Sequence, residues 1–102
     1  MMSEESNLDM LREEIKKITI EIIRLTGKRL LLAKKIGEIK NQRNLPIEDL
    51  KVEKELNQVI IEKCQIYNVD RSFGLKLLNL LIDEAKRVQI ETLNIEAFRS
   101  KH

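Results

Sequence analysis

LDMLREEIKKITIEIIRLTGKRLLLAKKIGEI, residues 8–39, puts a large side chain at every third or fourth position along one line. The line runs Leu8, Leu11, Ile15, Ile18, Ile22, Leu25, Arg29, Leu32, Ile36, Ile39, and its steps alternate between three and four without a slip. That period belongs to an α-helix whose apolar seam lies against other helices. One slot in the seam is Arg29. A guanidinium keeps its charge, so beside apolar neighbours it needs a carboxylate or another anion. Two readings stand side by side: Arg29 snorkels to the seam edge and pairs with a glutamate, or it binds an anionic ligand.

Working outward, the one proline, Pro46, lies in a break from Asn41 to Ile47. A second break falls at Asn68-Val69-Asp70, where Asp70 is a good helix N-cap. The pattern predicts an all-α chain of three helices, from about Leu8 to Gln42, Glu48 to Tyr67 and Arg71 to Phe98, with frayed ends. No strand alternation, repeat or low-complexity segment is present. Gly27, Gly37 and Gly74 fall inside helical pattern, where each costs up to about 1 kcal/mol relative to alanine. Close helix packing is the expected reason. The first helix, some 35 residues at about 1.5 Å each, is too long for a compact monomer of this size. Its seam is expected to be covered by a second copy of the chain, the simplest source of a matching seam.

Composition narrows the function. The 102 residues suit a single domain covering the whole chain, with its core at about 8–98. Charged residues make up 35% against 42% hydrophobic, and the net charge is +2 with both signs interleaved. Aromatics, at 3%, leave almost nothing to stack on bases, so a nucleic-acid footprint is not expected. No signal-peptide pattern or membrane-length apolar run is found, and a lone Cys64 excludes an intrachain disulfide. Cys64 is expected in the core of a cytoplasmic protein. The single histidine is the terminal His102. There is accordingly no Ser-His-Asp or Cys-His pair, no His/Cys metal cluster and no phosphate loop, and neither metal nor cofactor is expected.

Several polar residues sit on faces that also carry the core. A column beside the seam reads Arg12, Thr19, Thr26, Ala33, Lys40. Lys40 follows Arg29 by eleven residues, about 16 Å along the axis on nearly the same face, so the two cations could clamp a small dianion. Arg12 stands seventeen residues before Arg29, about 25 Å away, and joins such a clamp only from another subunit. Taken alone, Arg12 reads as a surface residue. Asp49 and Glu53, four apart, share a face of the second helix with Leu56 and Ile60. Acids in a first turn also simply suit the helix dipole. On the third helix Leu78, Ile82, Ala85, Gln89 and Leu93 form one stripe, and a buried Gln89 needs partners for its amide.

Together these stretches resemble the all-helical class of chorismate mutases. The resemblance is carried by Leu11-Arg12-Glu13-Glu14-Ile15, Lys28-Arg29 through Leu32-Ala33 to Gly37 and Lys40, Leu45-Pro46-Ile47 with Asp49 and Glu53, Val69-Asp70 with Phe73, and Leu81-Ile82 ahead of Gln89. It covers about Leu8 to Thr92. It implies an intertwined homodimer of three-helix chains acting on chorismate in phenylalanine and tyrosine biosynthesis. Arg29, with Arg12 of the other subunit, would hold the two substrate carboxylates, leaving Arg29 unpaired within the protein until substrate arrives. Lys40 would serve a carboxylate and the ether oxygen, Gln89 would be the second donor to that oxygen, and Glu53 with Asp49 would accept from the ring hydroxyl. Two positions depart from the family pattern. Val52 stands where an arginine is usual and Ala85 where a small hydroxyl residue is usual, which leaves backbone contacts there and removes side-chain ones.

The implied reaction is a rearrangement within one molecule and needs no nucleophile, metal or general base. The chain is expected to be a free-standing mutase without a fused catalytic or sensing domain. An isochorismate–pyruvate lyase on the same scaffold is the nearest alternative. A non-catalytic helical dimerisation module explains the seam but not Arg29, Lys40 and Gln89.

Overall fold

The computed structural model describes residues 3–101. Three helices make up almost all of it: α1 (Glu4–Gln42), α2 (Leu50–Ile66) and α3 (Arg71–Lys101). Among the described residues there is no strand, as the periodicity predicts. Met1, Met2 and His102, part of the ends expected to fray, lie outside the described residues.

The helix ends follow from local chemistry. α1 begins earlier than its seam, because Ser3 caps it: the Ser6 N–H donates to Ser3 Oγ at 3.1 Å, with Glu4 and Glu5 in the first turn. The expected start near Leu8 is therefore corrected to Glu4, and α3 runs on past Phe98 to Lys101. α1 ends where Asn44 takes a left-handed conformation at φ 54°. There the Leu45 N–H donates to Lys40 O at 2.8 Å and the Asn44 N–H to Asn41 O at 3.2 Å. This is a Schellman closure with asparagine in the usual glycine place and Pro46 just beyond it. α2 closes the same way through Asn68 at φ 55°, with Val69 N–H on Cys64 O at 2.9 Å. Asp70 caps α3 as expected, its Oδ2 accepting from the Phe73 N–H at 2.9 Å.

The chain divides into two compact units, one up to Leu31 and one from Leu32 onward. In the first, the seam side chains Leu8, Leu11, Ile15, Ile18, Ile22 and Leu25 are all exposed, while Arg29 and Leu30 are half-buried. In the second, α2 packs on α3, and the buried apolar side chains are Ala33, Cys64, Leu78 and Ile82. Cys64 is thus a core residue. Gln89 and Thr92 are buried with them, each 7% exposed.

Two glycines mark where helices approach closely. A Cβ on Gly37 would stand 3.2 Å from the Gln89 Cα and 2.9 Å from its Cγ, so α1 and α3 touch backbone to backbone there. A Cβ on Gly74 would meet Cys64 Sγ at 2.2 Å, which sets the α2–α3 approach. Gly27 differs: among the described residues, its own helix backbone aside, nothing lies within 4 Å of where a Cβ would stand.

Gly74→Ala is expected to destabilise the protein by about 1–3 kcal/mol through overpacking, despite alanine's better helix propensity. Adding Cys64→Ala to the same chain removes the obstructing sulfur, and most of that loss should return. Urea titrations of the two single variants and the double variant measure this coupling, and strictly additive losses would refute it.

Candidate functional site

The residues singled out by sequence fall into both units. Arg12 and Arg29 lie in the first; Lys40, Asp49, Val52, Glu53, Ala85 and Gln89 lie in the second.

In the first unit Arg12 is a surface residue. Its guanidinium pairs with Asp9 at 3.6 Å, and both side chains are more than two-thirds exposed. Such a pair contributes little and leaves the arginine available to another partner. Thr19 and Thr26, the middle of the flanking column, turn their hydroxyls back onto Ile15 O at 2.8 Å and Ile22 O at 2.7 Å. Arg29 is half-buried and makes an interaction within the chain. The expectation that it stands unpaired in the protein is therefore not met.

In the second unit the geometry is built from the loop after α1. Lys40 folds over it, its ammonium donating to Ile47 O at 2.7 Å. An ammonium has three donors, so two remain. This bond fixes a flexible four-carbon side chain at one end, close to where α2 starts. Asp49 is the N-cap of α2: its Oδ1 accepts from the Val52 N–H at 3.3 Å. The cap occupies the one backbone donor that Val52 offers. The Val52 side chain is exposed, and Ala85 is half-buried in the α3 stripe.

Gln89 lies on the glycine face of α1. Gly37 meets its Cα, Cβ and Cγ, and Lys40 follows Gly37 by one turn on that same face. The Gln89 side-chain oxygen is buried and has no hydrogen-bond partner. Leaving such a carbonyl unsatisfied costs about 1–3 kcal/mol. Thr92, its buried neighbour, has no such debt, since its hydroxyl donates to Val88 O at 2.9 Å.

Glu53 is half-buried on the inner face of α2. Its Oε1 takes the Lys86 ammonium at 2.8 Å, and Lys86 also reaches Glu48 Oε1 at 3.3 Å. The hydrogen bond to Glu53 chiefly, with help from Glu48, raises the Lys86 pKa above the ordinary lysine value against the opposing effect of desolvation. Lys86 was not singled out by the sequence reading. A signal was available: Ile82, Lys86, Gln89 and Leu93 step by four, three and four, so Lys86 interrupts an apolar line much as Arg29 does. Because Lys86 precedes Gln89 by one turn, the structure brings Glu53 of α2, Gln89 of α3 and the Gly37–Lys40 face of α1 onto neighbouring turns.

Among the described residues, no group of three or more His, Cys, Asp or Glu could hold a metal ion. No helix is long and apolar enough to cross a membrane. An apolar cavity of about 180 Å³, lined by Ile60, Cys64, Tyr67, Val69, Gly74 and Leu78 among others, lies at the other end of the α2–α3 pair, away from Glu53 and Gln89.

Comparison with known proteins gives these positions a context. The chain is 37% identical over 83 residues to a chorismate mutase of Methanocaldococcus jannaschii, covering 81% of this chain and 84% of that protein. It is 48% identical over 54 residues to a bifunctional chorismate mutase/prephenate dehydratase of Aquifex aeolicus, and 30% identical over 92 residues to one of Buchnera aphidicola. Those matches span 15% and 24% of the two bifunctional proteins. The family model for chorismate mutase type II matches residues 11–90, from the second seam residue of α1 to the residue after Gln89, and this chain belongs to that family.

Proposed function

We propose that this chain converts chorismate to prephenate as a homodimer, with each active site completed by Arg12 of the other subunit. The reaction breaks an ether carbon–oxygen bond and forms a carbon–carbon bond within one molecule, so the protein's task is to position and to stabilise charge. Arg29 and the partner chain's Arg12 hold the two carboxylates, keeping the enolpyruvyl side chain over the ring. Lys40 and Gln89 donate to the ether oxygen as negative charge grows there. Glu53, with Asp49 nearby, receives the ring hydroxyl.

The observation that carries this reading is Gln89, a polar amide buried on α3 and packed on Gly37 one turn from Lys40, whose NH2 group is the donor the ether oxygen calls for. A helix–helix contact that served packing alone would place an apolar residue there. Two further observations support the dimer. Six aliphatic seam residues from Leu8 to Leu25 are exposed on one line, too many for an isolated chain to leave in water. Gly27 lies in the same stretch, and among the described residues, its own helix backbone aside, nothing stands within 4 Å of where its Cβ would be. A second copy covers such a seam with a matching one. The decisive assay is the loss of chorismate absorbance with purified protein, run beside isochorismate. Turnover of isochorismate alone would assign the chain to the lyase reaction instead.

Lys40→Ala is expected to lose at least about a hundredfold in turnover, the effect of removing one donor to a developing oxyanion. Sedimentation should show the dimer intact. Near-normal turnover in that variant would remove Lys40 from the mechanism.

Gln89→Met keeps the side-chain volume and removes the unsatisfied carbonyl. Its melting temperature should hold or rise while turnover falls by about 10²–10³. A fall in stability with activity retained would reverse the assignment.

Arg12→Ala and Arg29→Ala chains, each inactive alone, should regain activity on mixing. The heterodimer has one site with both arginines and one with neither. Absence of recovery after verified subunit exchange would exclude a shared site.

A further inference from the structure

The ion pairs of Arg12 with Asp9, Arg24 with Glu21, and Arg87 with Glu84 and Glu91 each stay within one turn of one helix. Lys86 behaves differently. It reaches from α3 to two carboxylates at the start of α2 and its approach, Glu53 at 2.8 Å and Glu48 at 3.3 Å. The two bonds are unequal in setting as well as in length. The Glu53 side chain is 21% exposed and that of Lys86 29%, whereas the Glu48 side chain is 62% exposed. The inner pair is shielded and the outer one is in water, where ion pairs contribute little.

We propose that Lys86 is a positioning residue for the substrate's ring hydroxyl: its ammonium, delivered from α3, holds the Glu53 carboxylate fixed on the inner face of α2. This rests on the reading of Glu53 as the group that receives the hydroxyl. Three observations carry it. First, a glutamate has three side-chain torsions, and a half-buried one needs an anchor if it is to present the same oxygen to every substrate molecule. The 2.8 Å bond to Lys86 is that anchor. Second, a carboxylate offers about four lone-pair sites, so an ammonium on Oε1 leaves room for a hydroxyl donor. Third, Lys86 precedes Gln89 by one turn of α3, so the same rigid segment that places the ether-oxygen donor places the anchor of the hydroxyl acceptor. The raised pKa of Lys86 keeps the anchor charged across any practical assay range. Lys86 touches no substrate in this arrangement; it acts through Glu53.

The alternative is a tie that merely joins α2 to α3. Kinetics and stability measured on the same variants separate the two. Lys86→Met in the full-length protein should lower kcat/KM for chorismate by roughly ten- to a hundredfold, the range expected for a hydrogen bond to a charged group. Lys86→Arg should recover a substantial part of that loss. Glu48→Ala, which removes only the outer bond, should leave kcat/KM near the wild-type value. Glu53→Gln should be impaired, and adding Lys86→Met to it should cost little more, because no carboxylate is then left for the ammonium to hold. Wild-type kcat/KM in Lys86→Met, or losses that simply multiply in the double variant, would overturn the proposal. Recovery of stability without recovery of kcat/KM in Lys86→Arg would count the same way. Should the wild-type protein not turn chorismate over, the mutase reading itself falls. An active wild-type with Glu53→Gln unimpaired would instead remove the role of Glu53 alone, and this proposal with it.

Discussion

The backbone contact between Gly37 and Gln89 sets the terms for the rest of the second unit. With no Cβ on Gly37, α3 comes close enough for the Gln89 Cα to lie against α1. That approach buries the amide and leaves its oxygen unpartnered. It also fixes what neighbours what: Lys40 is one turn along α1 from Gly37, and Lys86 is one turn back along α3 from Gln89. A larger residue at position 37 would push the helices apart and separate these groups together. A glycine that costs helix stability is kept because the polar positions around it depend on its absence of side chain.

Much of the fold is legible in the sequence because its causes are local. The seam from Leu8 to Ile39 specifies a helix by period alone. Asp70, Pro46 and Cys64 do as expected, as cap, helix stop and core residue. The misses are also local but weaker in signal. Ser3 begins α1 five residues before the first seam residue, so no apolar pattern points to it. Asn44 and Asn68 fall inside the two predicted breaks; what the pattern leaves unsaid is that each closes its helix in a left-handed conformation more often taken by glycine.

The site is legible to a different degree. Gln89 and Glu53 stand on buried or half-buried faces as read, and Asp49 serves as the N-cap of α2. Lys86 was overlooked because lysine on a helix is so commonly a solvated surface residue. Its distinguishing mark is its place in the four-three-four line from Ile82 to Leu93. Arg12 illustrates the remaining gap. Among the described residues its partner is the exposed Asp9, and the role proposed for it would need a second chain, which the order of residues in one chain does not specify.

The two polar groups at the centre of the unit are treated in opposite ways, and their charges explain why. Glu53, as an ionised carboxylate, would pay a large penalty for burial without a cation, so a fold that brings it inward must also bring one; Lys86 is that cation. Gln89 is neutral. An unmet amide oxygen costs about 1–3 kcal/mol, which a packed three-helix chain can carry. The charged group is therefore partnered permanently within the chain, while the neutral one can be left waiting. Under the proposed mutase reading, this division suits a site that fills and empties: Glu53 is held by Lys86 before a ligand arrives, and the Gln89 NH2 group is the donor that the ether oxygen would meet.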